Sequence, residues 1–151
     1  FKYSDYFQRG ATSVGARLDY WSVAWQSAAN EPILGSGPGT FQRVYKDLKR
    51  PGAESTRLVH NDYLQQATDS GWIGFILYTG FAGGVLVVTF RRQETEPLRI
   101  AARLSLLGWF AQGLVEFGLY IPALAWPSFL LQGWLLGEQP PNNVDKSYTE
   151  D

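Results

Sequence analysis

Nineteen consecutive residues, Trp72 to Phe90 (WIGFILYTGFAGGVLVVTF), carry no charge, and Arg91 and Arg92 end the run. As a helix the run is just long enough to cross a hydrocarbon layer of ~30 Å. A chain holding such a run must place it in lipid or cover it with protein, and the rest of the sequence favours lipid. Ile100 to Phe117 is a second apolar stretch, and Leu119 to Gly137 is a third, interrupted by Pro122 and Pro127. The island Arg91 to Arg99 between the first two holds three arginines, and arginine in a short loop marks the cytoplasmic side. Arg103 is expected to snorkel back to that interface. The Glu116–Pro122 turn has no basic residue and falls outside. So does the polar stretch Phe1 to Gly71, because the charge rule weakens for long loops and its eight basic residues do not count against it. The expectation is an all-α polytopic membrane protein. It has a helical outer loop over residues 1–71, membrane helices at about 72–90, 100–117 and 119–137, and a polar, disordered cytoplasmic tail over 138–151. Core helices of a soluble protein are the competing reading of the same runs.

Composition narrows the function. A net charge of −1 argues against a nucleic-acid binder, which would normally present a basic face. The absence of cysteine excludes disulfides and thiolate metal sites, and a single histidine excludes a multi-histidine metal site. No cofactor is expected. Six tryptophans, eight tyrosines and nine phenylalanines suit a chain that meets a membrane interface. The chain begins at Phe1 with neither an initiator Met nor a signal-peptide pattern. It is therefore expected to be the C-terminal part of a longer protein, and to be inactive alone.

The outer loop has helical organisation of its own. Ser13 is placed to cap a helix over Ala16–Asn30, with Leu18, Trp21, Trp25, Ala28 and Ala29 on one face, and Pro32 to stop it. Gly35, Gly37 and Gly39 with Pro38 predict a tight turn, followed by an amphipathic helix over Thr40–Lys49 carrying Phe41, Val44, Tyr45 and Leu48. His60-Asn61-Asp62 opens a third helix, which leads through Gly71 into the first membrane segment.

Several residues could carry chemistry. His60 stands at a helix start near the membrane surface, where a neutral imidazole can take a proton from a hydroxyl; it can equally be a histidine that only caps or packs. Arg17 offers a planar guanidinium that grips a diphosphate with two hydrogen bonds, or it is a solvated surface arginine. Arg9 and Arg57 are weaker versions of the same idea. The run GSGPG can aim backbone N–H groups at phosphate, but without a following Gly-Lys-Ser/Thr it is no nucleotide loop, and a plain turn explains it as well. Glu116, at the end of the second apolar stretch, is costly at that depth unless paired or wet, which makes it either functional or an interface marker.

Taken together these pieces resemble the O-antigen ligase and polymerase family of bacterial membrane glycosyltransferases. The likeness lies in four stretches in the family's order: Arg17-Leu-Asp-Tyr-Trp21, Pro32-Ile-Leu-Gly35-Ser-Gly37-Pro-Gly39-Thr-Phe41, His60-Asn61-Asp62-Tyr63-Leu64 with Asp69-Ser-Gly71, and Val115-Glu116-Phe117 with Ile121-Pro122-Ala123. The family usually has glutamate where Asp69 stands, and a second donor-holding arginine has no clear match unless it is Arg9. The resemblance implies transfer of a glycan from a polyprenyl-diphosphate carrier to an acceptor hydroxyl. It implies a site on the periplasmic face of the bacterial inner membrane, without metal or nucleotide. The acceptor is lipid A–core for a ligase or another glycan for a chain polymerase. It further implies catalytic roles for His60 and Arg17, and substrate contacts at Arg9, Arg57, Glu116 and Asp69. A membrane transporter segment, with Glu116 and Arg103 on a solute path, is the alternative from another class.

Overall fold

The computed structural model describes residues 4–137, with side chains from residue 14 onward. Five α-helices follow in order: α1 (Ser4–Asn30), α2 (Phe41–Leu48), α3 (Asp62–Arg91), α4 (Pro97–Gln112) and α5 (Pro122–Leu136), with a short 3-10 turn at Gly118–Tyr120 before the last. No strand occurs among the described residues, so the fold is all-α as expected. The expected tail, 138–151, lies outside the described residues.

Two separate cores divide the molecule. Tyr20, Val23, Ala24, Phe41, Tyr45 and Val59 form the first, which binds α1 and α2 to the loop before α3. Ala82, Val85, Ala102, Leu106, Phe110 and Leu135 form the second, which binds α3, α4 and α5. In this second unit α4 runs antiparallel to α3. Tyr63 near the start of α3 donates to Phe110 O near the end of α4 at 3.0 Å, while Arg92, just past the end of α3, reaches Leu136 O at the end of α5 at 3.1 Å.

α1 departs from its expected form in two ways. It begins at Ser4, so Ser13 lies inside the helix and does not start it. Its buried stripe is Tyr20, Val23, Ala24, Ser27 and Ala28, and Leu18 and Trp25 are each 57% exposed. Of the expected face, Ala28 is buried and Trp21 packs against the core, while Leu18, Trp25 and Ala29 face outward. Trp25 instead lies edge-on to Trp72 at 5.1 Å, beside the start of the apolar run. α2 carries buried Phe41 and Tyr45, as its spacing predicts, with Leu48 left partly exposed.

α3 is two helical arms joined at Gly71, whose φ of 67° and ψ of −167° break the helix. The break frees the carbonyls that the next turn would have satisfied, and the glycine-rich turn fills them. Ser36 N–H donates to Thr68 O at 2.7 Å and Gly37 N–H to Asp69 O at 3.2 Å, while Trp72 N–H turns to Pro32 O at 2.8 Å. The approach is so close that a Cβ on Gly71 would sit 2.4 Å from Ile33 O, and one on Gly35 2.5 Å from Thr68 O. The N–H groups of Ser36 and Gly37 are thereby spent on carbonyls, which makes GSGPG a structural turn and removes these two donors from any phosphate cradle.

Among the described residues one helix, Asp62–Arg91, is long and apolar enough to cross a membrane. Only 17% of its most apolar stretch is buried, which sets it apart from the core helix of a soluble protein. α4 and α5 have 16 and 15 residues, or ~24 and ~22 Å at 1.5 Å per residue. Their bounds differ from the apolar stretches 100–117 and 119–137. α4 starts earlier, with Pro97 in its first turn, where a missing N–H costs nothing. Just past its end at Gln112, Gly113 O accepts Asp62 N–H at 2.7 Å and Leu114 O accepts the Asn61 side chain at 2.8 Å, which ties the turn after α4 to the start of α3. Pro122 likewise starts α5, and Pro127 sits within that helix without ending it.

Arg92, Arg99 and Arg103 gather on Glu94 and on the end of α5. Arg99 Nε and Arg103 Nη2 donate to Glu94 Oε2 at 2.8 and 3.2 Å. Arg99 Nη2 donates to Leu135 O at 3.2 Å, with its guanidinium 4.9 Å from the Trp134 ring centre. Arg103 reaches back along the chain, as expected for a snorkelling side chain, and donates to Arg92 O at 2.9 Å. It is 7% exposed, so it ends in a buried ion pair and not in open interface.

Candidate active site

At the opposite end of the bundle, three residues distant in sequence converge. Arg17 comes from α1, His60 from the position before the α3 cap, and Glu116 from the turn between α4 and α5. Arg17 Nη2 lies 2.5 Å from Glu116 Oε1, and His60 Nδ1 lies 3.3 Å from Glu116 Oε2. The three side chains keep 31%, 30% and 34% of their surface exposed, so the cluster is open to an incoming molecule.

The surroundings fix the imidazole. Its ring lies against Tyr20 at 5.8 Å and meets Phe117 edge-on at 4.6 Å. The His60 backbone has φ of 56°, a left-handed conformation that a non-glycine residue keeps only where its neighbours enforce it. Asn61 caps α3 by accepting from Leu64 N–H at 2.9 Å, and Trp21 Nε1 points at His60 O from 3.3 Å. A carboxylate only accepts hydrogen bonds, so the contact with Glu116 favours the imidazole proton on Nδ1 and a lone pair on Nε2. Burial raises the Tyr20 hydroxyl above its usual range, the charges of Glu54 and Asp19 add to this, and Arg17 opposes it. Tyr20 is therefore a neutral phenol beside the histidine.

The arrangement supplies a histidine nitrogen able to accept a proton, a carboxylate that orients it, and a guanidinium with N–H groups left over. The Arg17 guanidinium makes no hydrogen bond among the described residues other than the one to Glu116. No group of three or more His, Cys, Asp or Glu stands together among the described residues in a way that could hold a metal.

The other candidates lie elsewhere. Arg9 is on α1, but its side chain lies outside the described residues. Arg57 is exposed on the loop between α2 and α3 and makes no ion pair among the described residues. Asp69 is 3% exposed, and both its oxygens are occupied, Oδ1 by Gln65 Nε2 at 3.0 Å and Oδ2 by the Tyr120 hydroxyl at 2.7 Å. Sequence reasoning missed Asp62, whose carboxylate accepts Leu119 N–H at 3.1 Å and helps hold the turn that carries Glu116. It also missed Tyr20 and Phe117 as walls of the histidine. Their proximity depends on how three elements dock, and no local pattern announces it.

Residues 3–79 match the family described as O-antigen ligase. The comparisons with curated proteins and with solved structures returned no match. The matched stretch takes in Arg17, His60, Asp69 and the Gly71 break, and it ends before Glu116, which the fold brings to the other two. Since the match spans just over half of the sequence, the chain belongs to the O-antigen ligase family.

Proposed function

We propose that the chain is part of a membrane glycosyltransferase that moves a glycan from a polyprenyl-diphosphate carrier to an acceptor hydroxyl. The observation that carries this is the Arg17–Glu116–His60 cluster, half open and set at the end of an apolar helical unit. A membrane-anchored diphosphate can reach such a place with its lipid tail still in the bilayer. His60 Nε2 takes the proton of the acceptor hydroxyl as that oxygen attacks the anomeric carbon. The bond from that carbon to the diphosphate oxygen breaks, and the proton stays on the imidazole, paired with Glu116. Diphosphate is a good leaving group, and its growing charge falls on the free N–H groups of Arg17. No metal or nucleotide enters these steps. An O-antigen ligase would pass the glycan to lipid A–core; a chain polymerase would use the same groups with a glycan acceptor.

In this reading residues 1–71 form a periplasmic loop on the bacterial inner membrane. α3 beyond Gly71 crosses inward, α4 returns, and α5 crosses inward again, with Glu94 and its arginines on the cytoplasmic side. Cysteines placed at Ser55 and Thr95 then differ completely toward an impermeant thiol reagent in outer-membrane-permeabilised cells. Ser55→Cys reacts and Thr95→Cys does not, and the reverse pattern inverts the topology. The catalytic assignment is tested in the full-length protein, reconstituted with a polyprenyl-diphosphate-linked glycan. His60→Ala and His60→Asn are both expected to lose ~10²–10⁴-fold in transfer rate at unchanged protein level. Asparagine serves well at helix starts but cannot act as a base near neutral pH, so near-normal transfer by His60→Asn returns His60 to a structural role.

A further inference from the structure

We infer that Asp69 is a positioning residue that holds His60 and Glu116 in register, acting on the first through Gln65 and on the second through Tyr120. The inference rests on the reading of His60 as the base.

A line of buried and half-buried polar groups connects the two sides of the site. Val59 N–H, one residue before His60, donates to Gln65 Oε1 at 2.8 Å. Gln65 Nε2 donates to Asp69 Oδ1 at 3.0 Å. The Tyr120 hydroxyl donates to Asp69 Oδ2 at 2.7 Å and accepts from Gln66 Nε2 at 2.9 Å. Val59 and Gln65 have no exposed surface and Asp69 keeps 3%, so bulk water cannot take the place of the Gln65 bonds, while Gln66 and Tyr120 are half-buried.

Asp69 sets the direction of the line. An ionised carboxylate accepts and never donates, so Gln65 must turn its NH2 toward Asp69 and its carbonyl oxygen toward Val59. That orientation ties down the backbone just before a histidine with φ of 56°. The other oxygen of Asp69 anchors Tyr120, which closes the 3-10 turn four positions after Glu116. One carboxylate, out of contact with the site opening, thus governs both ends of the Glu116–His60 contact. The signal in the sequence is Gln65 and Asp69 one helical turn apart after the histidine, so that both face inward on the same side of α3.

The test uses three variants that each interrupt the line at one residue in the reconstituted full-length protein: Gln65→Met, Asp69→Asn and Tyr120→Phe. Each is expected to lower kcat about tenfold or more while the donor KM stays within about twofold, since small misplacement of a reacting group costs rate before binding. In a His60→Ala background the same changes should have no further effect on the residual rate, because the group they position is gone. Unchanged kcat in Gln65→Met and Tyr120→Phe overturns the inference. A raised KM at constant kcat overturns it in favour of a substrate contact. Loss of folded protein in all three, or equal losses with and without His60, overturns it in favour of plain structural roles. Near-normal transfer by His60→Ala alone would instead sink the function on which the inference rests.

Discussion

The two charged clusters at opposite ends of the bundle use the same side chains to different ends. At one, Arg99 and Arg103 close on Glu94 with 8%, 9% and 4% of side-chain surface exposed. The same arginines and Arg92 donate to the carbonyls of Arg92, Leu135, Leu136 and Gly137. At the other, Arg17, His60 and Glu116 each keep about a third of their surface, and the arginine has N–H groups to spare. A buried ion pair is costly to break, and a donor left over there, Arg103 Nε, is buried out of reach of a ligand. A half-open pair contributes little to stability, and its remaining valences are available for chemistry. Residue type does not distinguish the two clusters; the exposure of their side chains does.

Glutamate substitutions should separate the clusters most clearly. Glu116→Ala is expected to lower transfer about 10²-fold by releasing the imidazole from its working orientation, with a change in thermal stability of ~1 kcal/mol or less. Glu94→Gln should do the reverse, lowering stability because two buried arginines lose their counter-charge. That loss would be read as a lower unfolding midpoint and a lower yield of folded protein in detergent. If Glu94→Gln spares stability, or Glu116→Ala unfolds the protein, the division between the clusters is wrong.

Arginine-to-lysine changes sharpen the same point at a smaller scale. Arg17→Lys keeps the charge but loses the two-pronged contact, and about a tenfold loss of transfer at unchanged stability is expected, equivalent to one charge-assisted hydrogen bond. Arg99→Lys cannot hold Glu94 and Leu135 O while lying over Trp134, so its effect should appear in the unfolding midpoint. Identical behaviour of the two variants in both assays would remove the distinction. The smallest effect belongs to a third pair, Arg50 with Asp19, where the arginine side chain is 78% exposed. Arg50→Ala should shift stability by no more than ~1 kcal/mol and leave transfer unchanged. A large loss of transfer there would extend the site to that surface.

Much of this arrangement can be read in the residues. The uncharged run Trp72–Phe90 requires a long apolar helix, since backbone polar groups in lipid must be satisfied within the segment. Asn61 after His60 marks a helix start because its side-chain oxygen captures a free N–H of the first turn, and Pro32 marks a stop because it has no N–H to continue one. Arg17 and His60 stand out from the family resemblance, and Glu116 from the cost of a carboxylate at that depth.

Other features have no local cause. The burying face of α1 depends on which neighbours come close, and it leaves Trp25 outward. The turn after α4 is held by Asn61 and Asp62, some fifty residues earlier, which donate to the carbonyls of Leu114 and Gly113. The family pattern covers Asp69, but its assignment to the interior followed only from the docking of Gln65 and Tyr120 around it. The meeting of Arg17 with Glu116 spans 99 positions. Periodicity and capping act over one or two helical turns and are written in adjacent residues; a contact between distant elements is set by how their faces dock, and only the tertiary structure fixes it.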